Sequence, residues 1–140
     1  MGQRIKILVI DSEEIILKSV RKALKNNNDF EYVVTVCNSA IESLKLIRGD
    51  SFDLVFIDLV LPGMNGIEVL RRIKNITPTV SVIIMTGFSS TEINTKTAGE
   101  GSYLSEIMKS ASGILFKPFT TEEINNMVSQ TLKHVPETNG

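Results

Sequence analysis

Five short apolar runs, with helical patterns between them, constrain this chain more than any other feature. Four are nearly continuous: IKILVI (5–10), YVVTVC (32–37), DLVFI (53–57) and VSVIIM (80–85). A weaker fifth, GILF (113–116), stands just before Lys117-Pro118. Runs this short, rich in Val and Ile and without polar alternation, suit strands covered on both faces. The intervening segments place apolar residues at helical spacing: Ile16, Val20, Ala23 and Leu24; Ile41, Leu44 and Ile47; Ile67, Leu70 and Ile73; and Ile124, Met127, Val128, Thr131 and Leu132. Helix starts are marked by Ser39 with Glu42, Ser89 with Glu92 and Thr120 with Glu123, each at capping-box spacing. Strand and helix alternating five times predict an α/β fold, with a doubly wound parallel sheet, right-handed crossovers and helices on both faces. A chain of 140 residues is expected to bury one core as one domain.

In an open sheet of this kind, ligands bind outside the carboxyl ends of the strands. Strand 1 ends in Asp11, followed by Ser12, Glu13 and Glu14; strand 3 ends in Asp58, strand 4 in Thr86 and strand 5 in Lys117. Two carboxylates, a hydroxyl and an ammonium are thereby expected on one edge. Paired carboxylates repel unless a cation lies between them or one takes a proton. A hard ion such as Mg²⁺ suits carboxylate, carbonyl and water oxygens. With that charge in place, Asp58 can act as a nucleophile towards phosphorus, while Lys117 and the Thr86 hydroxyl help neutralise the equatorial oxygens. Pro62, Gly63 and Gly66 predict a tight loop after Asp58, with backbone free to approach the site. The Val60 carbonyl in that loop is a further candidate metal ligand.

Composition narrows the partners. A formal net charge of -1 gives no electrostatic footprint for nucleic acid or an acidic membrane. No apolar run approaches the roughly 18 residues that span a bilayer, and the start MGQRIKILVI lacks a secretory cleavage pattern and the Ser or Thr of a myristoylation site. A single cysteine, Cys37, leaves no internal disulfide and fits a reducing compartment. The expectation is a cytoplasmic protein without direct nucleic-acid or membrane contacts.

KILVIDSEE, DLVFIDLVLPGMNGIEVLRRIK, VIIMTG and ILFKPF, in that order between about residues 4 and 134, resemble the receiver domain of two-component response regulators, the CheY-like superfamily. That resemblance implies strand order 2-1-3-4-5 and a receiver domain over 1–134, with 135–140 as a tail or the start of a linker. It makes Asp58 similar to the phosphoacceptor, Asp11 to one of the acids holding Mg²⁺, Thr86 to the hydroxyl that closes on the phosphoryl group and Lys117 to the lysine that pairs with it. It also implies a cis Lys117-Pro118 bond. A sensor histidine kinase or a histidine phosphotransfer protein is the implied donor, and an output domain or protein the implied recipient. A homodimer through the fourth and fifth helices is compatible with the family. The chain would catalyse only its own aspartyl phosphorylation and dephosphorylation, and so is not classed as an enzyme.

Three departures from the family pattern stand out. Position 12, commonly a second acid, is Ser12; either water or Glu13 fills the gap in a weakened Mg²⁺ site, or Ser12 caps the first helix, and the two are compatible. Ile114 stands where the family often has an aromatic ring that moves with the threonine, and Phe116, two residues on, is expected in the core. The span from Thr86 to Lys117 is roughly nine residues longer than usual, an addition that loop entropy tolerates. The surplus is assigned to NTKTAGEGSYL (94–104), as a surface loop or irregular extension of the fourth helix or as a changed output face.

Other residues carry weaker signals. Lys18, Arg21, Lys22 and Lys25 form a basic helix face, solvated or used for kinase docking. His134 has no acid or cysteine at ligand spacing and reads as a surface residue, and Cys37 reads as a small core hydrophobe. Two rival functions stay open: a phosphorylation-independent interaction module whose switch is degraded at Ser12 and Ile114, and a small phosphate-ester hydrolase. The second lacks an acid two residues after its nucleophile, where Val60 stands.

Overall fold

A computed structural model describes residues 4–26, 30–98 and 101–132. Within them, β1 (Arg4–Ile10), β2 (Glu31–Cys37), β3 (Leu54–Asp58), β4 (Ser81–Thr86) and β5 (Gly113–Phe116) form one five-stranded sheet. Its order is β2-β1-β3-β4-β5, and every neighbouring pair is parallel. This is the doubly wound α/β architecture with the 2-1-3-4-5 order that the sequence implied. The helices are α1 (Glu14–Lys25), α2 (Ala40–Gly49), α3 (Gly66–Ile76), α4 (Ser90–Thr95), α5 (Tyr103–Ser110) and α6 (Thr121–Leu132).

Strand alternation divides the interior into two cores. Ile5, Ile7 and Val9 of β1, with Leu54 and Phe56 of β3, pack against Leu17, Val20 and Leu24 of α1 and Ile124 and Val128 of α6. Leu8 and Ile10, with Val55 and Ile57, face the other way onto Leu44 of α2, Ile67, Leu70 and Ile73 of α3, Ile93 of α4 and Ile107 of α5. Because both faces are covered, the strands are apolar throughout rather than alternating. β3 is buried at all five positions, including its last residue, Asp58. A charge at the end of a wholly buried strand is a placement that the fold must justify chemically.

The helix-start expectations are met at three sites. The Ser39 side chain accepts from the Glu42 amide, Ser89 and Glu92 form a complete capping box, and Thr120 and Glu123 exchange the same reciprocal bonds. Ser12 does not cap α1: the N-cap residue is Glu13, without a side-chain cap bond. Asp11 Oδ1 instead accepts the Glu13 amide at 2.8 Å, a local turn that Asp favours.

Two expectations of the fourth crossover are corrected. The surplus residues are neither a plain loop nor an irregular extension of α4. A short antiparallel ladder, Thr97–Ala98 with Gly101–Ser102, closes on itself and feeds a separate helix, α5. α5 has its own cap, Ser102 accepting from the Ser105 amide. Phe116 is not a core residue but 40% exposed, because β5 is an edge strand. Cys37 is buried as expected, and Lys117-Pro118 is cis. His134, the boundary at residue 134, the tail 135–140 and Gly99 lie outside the described residues.

Candidate functional site

The site is built where β1, β3 and β5 end. Sheet register places Asp58 opposite Met85, one residue before Thr86, and Thr86 opposite Phe116, one residue before Lys117. The Lys117 amide donates to the Thr86 carbonyl at 2.7 Å, so the ladder holds the lysine to its last residue. Two loop glycines then shape the far wall. Gly63 has φ of 79°, the left-handed conformation that Gly adopts without strain, and it closes the turn between the paired segments Val60–Leu61 and Met64–Asn65. At Gly66 a Cβ would stand 2.4 Å from the Asp58 carbonyl oxygen and 2.5 Å from Leu59 Cα, so only Gly lets α3 start this close to the strand.

The Lys117 ammonium lies among three carboxylates: 2.8 Å from Asp11 Oδ2, 2.9 Å from Glu13 Oε2 and 3.1 Å from Asp58 Oδ2. Asp58 Oδ1 accepts the Val60 amide at 3.2 Å. The sequence placed Asp11 and Asp58 here and offered water or Glu13 for the gap at position 12; the structure brings Glu13. Glu13 reaches the site because the Asp11 turn folds residue 13 back over the end of β1. Burial pushes the Asp11 carboxyl up; the Lys117 ammonium and the Glu13 amide draw it back, and the Asp58 charge pushes it up again. Burial works to lower the Lys117 ammonium, but the close carboxylates of Asp11, Glu13 and Asp58 outweigh it, so it is held well above the usual lysine range. It is a fixed positive charge at any physiological pH.

One ammonium against three carboxylates leaves the cluster short of positive charge. The carboxylate oxygens of Asp11, Glu13 and Asp58 lie within 4.8 Å of one another, close enough to share a metal ion. Asp11 is fully buried, and its Oδ2, although near the ammonium, receives no aligned hydrogen bond. A buried anionic oxygen with spare acceptor capacity, in an all-oxygen donor set, fits a hard divalent cation.

The remaining expected residues are not all at this cluster. Ser12, Glu13, Asp58, Val60, Phe88, Lys117 and Pro118 are among those lining an open cleft of about 590 Å³. Thr86 is buried, and its Oγ1 accepts the Phe88 amide at 3.0 Å. Ile114 packs at the edge of the α3-side core. Lys18, Arg21, Lys22 and Lys25 are all exposed on α1, with Lys18 3.5 Å from Glu14. Sequence reasoning missed Phe88, Tyr103 and Asn65, which meet beside the cleft: the two rings lie 6.4 Å apart, and Asn65 Nδ2 donates to the Tyr103 hydroxyl. Only the position of Phe88, two residues after Thr86, hinted at it.

Comparison with known proteins gives a consistent picture. Residues 7–129 match the model of the response regulator receiver domain. The transcriptional regulatory protein ZraR of Klebsiella oxytoca is 30% identical over 133 residues, which is 95% of this chain and 27% of that protein. The response regulator MprA of Mycobacterium ulcerans (strain Agy99) is 27% identical over 120 residues, 86% of this chain and 47% of that one. Among solved structures, the signal receiver domain of an HD domain-containing protein from Pseudomonas fluorescens Pf-5 aligns with a TM-score of 0.78 at 25% identity, covering 94% of this chain and 97% of that one. The chain spans about a quarter to a half of the two curated relatives. Among the described residues, no helix is long and apolar enough to cross a membrane.

Proposed function

The chain belongs to the response regulator receiver family, a class of signalling modules, and from that premise we propose that Asp58 is the phosphoacceptor of a two-component phosphorelay. The observation that carries this reading is the Lys117 ammonium, 3.1 Å from Asp58 Oδ2, at an open cleft where Asp11 and Glu13 also meet it. A cytoplasmic histidine kinase or histidine phosphotransfer protein is the donor. An Asp58 oxygen attacks phosphorus; the new P–O bond forms as the donor's P–N bond breaks, and the departing imidazole takes a proton. Lys117 pairs with the phosphoryl oxygens, and the Thr86 hydroxyl turns to donate to one of them. Asp11, Asp58, the Val60 carbonyl and Glu13 would hold Mg²⁺, which supplies neutralising charge to the phosphoryl group. Water later cleaves the acyl phosphate, returning Asp58. The new charge shifts a two-state equilibrium that an output domain or protein senses.

Intact mass after incubation with acetyl phosphate, with and without Mg²⁺, tests the nucleophile and the metal site together. The expected result is a Mg²⁺-dependent phosphoryl adduct that Asp58→Asn abolishes. No adduct from acetyl phosphate or from a kinase would favour the second reading, a phosphorylation-independent interaction module. Ser12, which offers no carboxylate, and Ile114, which offers no ring, are the residues in its favour.

A further inference from the structure

The two edges of the sheet differ. β5 contributes four residues and stops at Lys117-Pro118, whereas all seven residues of β2, EYVVTVC, are in register with β1. Exposed edges are commonly blunted by Lys, Pro or a bulge, and β2 has none of these. The Asp11 amide donates to the Cys37 carbonyl at 3.1 Å, so the odd-numbered residues of β2 turn their backbone polar groups towards β1. Those of Val34 and Val36 therefore point away from the sheet, and among the described residues no strand pairs with them. Arg21 Nη2 donates to the Val34 carbonyl at 3.4 Å. This edge borders a cleft of about 610 Å³ between α1 and α2, lined in part by Lys18, Arg21, Val36, Glu42 and Leu46. Its two walls are unlike. Lys18, Arg21 and Lys25 recur at i, i+3 and i+7 on α1, one stripe of the helix. Lys18 has Glu14 at 3.5 Å, while Arg21 and Lys25 have no ion-pair partner among the described residues. On the α2 wall Glu42 lies 3.9 Å from Lys45. The odd-numbered side chains of β2 face that side, and Val33 there is 38% exposed.

We propose that the β2 edge takes an extended acidic segment of a partner protein as a sixth strand, its acidic side chains towards α1 and its apolar ones towards α2. The added backbone pairs with Val34 and Val36, and one of its amides replaces Arg21 on the Val34 carbonyl. The displaced guanidinium, with Lys18 and Lys25, then meets the carboxylates. The spacings agree: same-face residues of a strand recur every ~6.8 Å, and the basic stripe advances by about 4.5 and 6 Å, a difference that long side chains absorb. Apolar residues on the other face meet Val33 and Leu46 and keep carboxylates away from Glu42. Charge also disfavours a second copy. Two chains pairing antiparallel through β2 would set their basic stripes side by side on one face of the joined sheet. Nucleic acid would answer the stripe but brings no strand to the edge beneath it, and a helix laid on α1 would leave that edge unused. Nothing in this arrangement requires a phosphoryl group on Asp58, so the proposal is independent of that reading.

The probe is a fluorescein-labelled peptide, Glu-Val-Glu-Val-Glu-Val-Glu with blocked ends, added to the full chain and followed by fluorescence anisotropy. Saturable binding that weakens as salt rises is expected. Lys18→Gln and Lys25→Gln should each weaken it about threefold, the scale of an exposed ion pair. Val34→Pro removes an outward amide and leaves the β1 ladder intact; it should abolish binding, with thermal unfolding as the check on its fold. Two further probes, N-methylated on the valines or on the glutamates, make the same test without altering the chain. In a paired strand one set of amides faces β2 and the other faces water, so one probe should lose binding and the other keep it. Equal behaviour of the two, or full binding by a folded Val34→Pro chain, overturns the added strand. So does equal competition by a helical peptide of the same charge or by duplex DNA. A dimer of the unsubstituted chain that Val34→Pro dissociates gives the edge to a second copy and overturns the acidic partner. No saturable binding of the unmodified probe overturns the proposal outright, and the Asp58 reading stands in every case.

Discussion

Replacing Gly66 with alanine probes how tightly the Asp58 strand and the start of α3 are pressed together. The added methyl would meet the Asp58 carbonyl oxygen at 2.4 Å, Leu59 Cα at 2.5 Å and the Leu59 carbonyl oxygen at 2.8 Å. Real Cβ atoms keep at least 3.0 Å from such neighbours, so the closest one must retreat by 0.6 Å. All three are backbone atoms, and no side-chain rotation relieves them. The Gly66 amide also donates to the Leu59 carbonyl at 2.8 Å, a bond that any separation weakens. Overpacking of this kind costs about 1–3 kcal/mol, while alanine returns about 0.5–1 kcal/mol of helix propensity. The upper part of the first range should prevail, a net loss of about 2 kcal/mol. For a chain of this size, that lowers Tm by about 5–8 °C. Displacement of Asp58 should also slow acetyl phosphate labelling about tenfold, since a 1 Å misplacement can cost on the order of 100-fold. Gly49→Ala is the control: nothing lies within 4 Å of the added methyl, and its midpoint should hold or rise by about 0.5 kcal/mol. Urea unfolding and intact-mass kinetics measure both effects. A Gly66→Ala chain with an unshifted midpoint and unchanged labelling would refute the close-approach argument.

Further outcomes follow from the same contacts. Lys117→Met leaves three carboxylates without their ammonium and should cost about 3 kcal/mol in urea unfolding with chelator present, with added Mg²⁺ restoring much of it; no Mg²⁺ effect would show that the cluster does not hold the ion. Glu13→Gln should weaken Mg²⁺ binding, by calorimetry, on the order of tenfold, the low end for loss of a supporting group; unchanged affinity removes Glu13 from the site. Arg71 bonding holds the Glu106 carboxyl below the usual glutamate range, so that contribution is full above the unfolded value of about 4.3 and fades as pH falls through the lower folded value. Hydrogen exchange in α5 should therefore be sensitive to Glu106→Gln at pH 7 and insensitive to it at pH 3. Cys37 is buried, and burial pushes its thiol up, so alkylation at pH 8 should follow global unfolding in urea; rapid labelling of the native chain would show the strand end to be open.

The parts of the fold legible in the sequence were those in which one residue type has one role. Apolar runs buried on both faces cannot be helices at that length with Gly or Pro nearby, so all five strands were placed to within a residue. The reach of β3 to Asp58 and of β4 to Thr86, each one residue past its apolar run, shows the polar residues completing the ladder rather than following it. The chemistry could be located because sheet topology, not local sequence, brings strand ends together. What escaped were features decided by tertiary packing. Phe116 looked like core by composition, but an edge strand leaves one flank uncovered. The α5 helix was hidden because Gly101 and Ser102 interrupt the helical pattern, although Ser102 turned out to be a cap and Gly101 lies where a Cβ would meet Ser105 Oγ at 2.9 Å.

Position 12 shows how a neighbouring residue can stand in for a missing acid. Counting ligands by position makes Ser12 a deficit for water or Glu13 to fill, with capping of the first helix as a compatible use. The structure sets the cap aside and brings Glu13 to the cluster. Asp11 receives the Glu13 amide itself, so no serine cap is needed there. That turn swings a longer acid onto the same ammonium that Asp11 and Asp58 approach. The carboxylate count at the strand ends is thereby restored, from an exposed side chain on a helix start rather than a short one on the loop. A flexible glutamate places its charge less rigidly than a short aspartate would, because more rotatable bonds must be fixed to hold it. Loss of rigidity rather than loss of charge is then the physical difference at this site, and it should appear in the entropy of cation binding more than in the number of ligands.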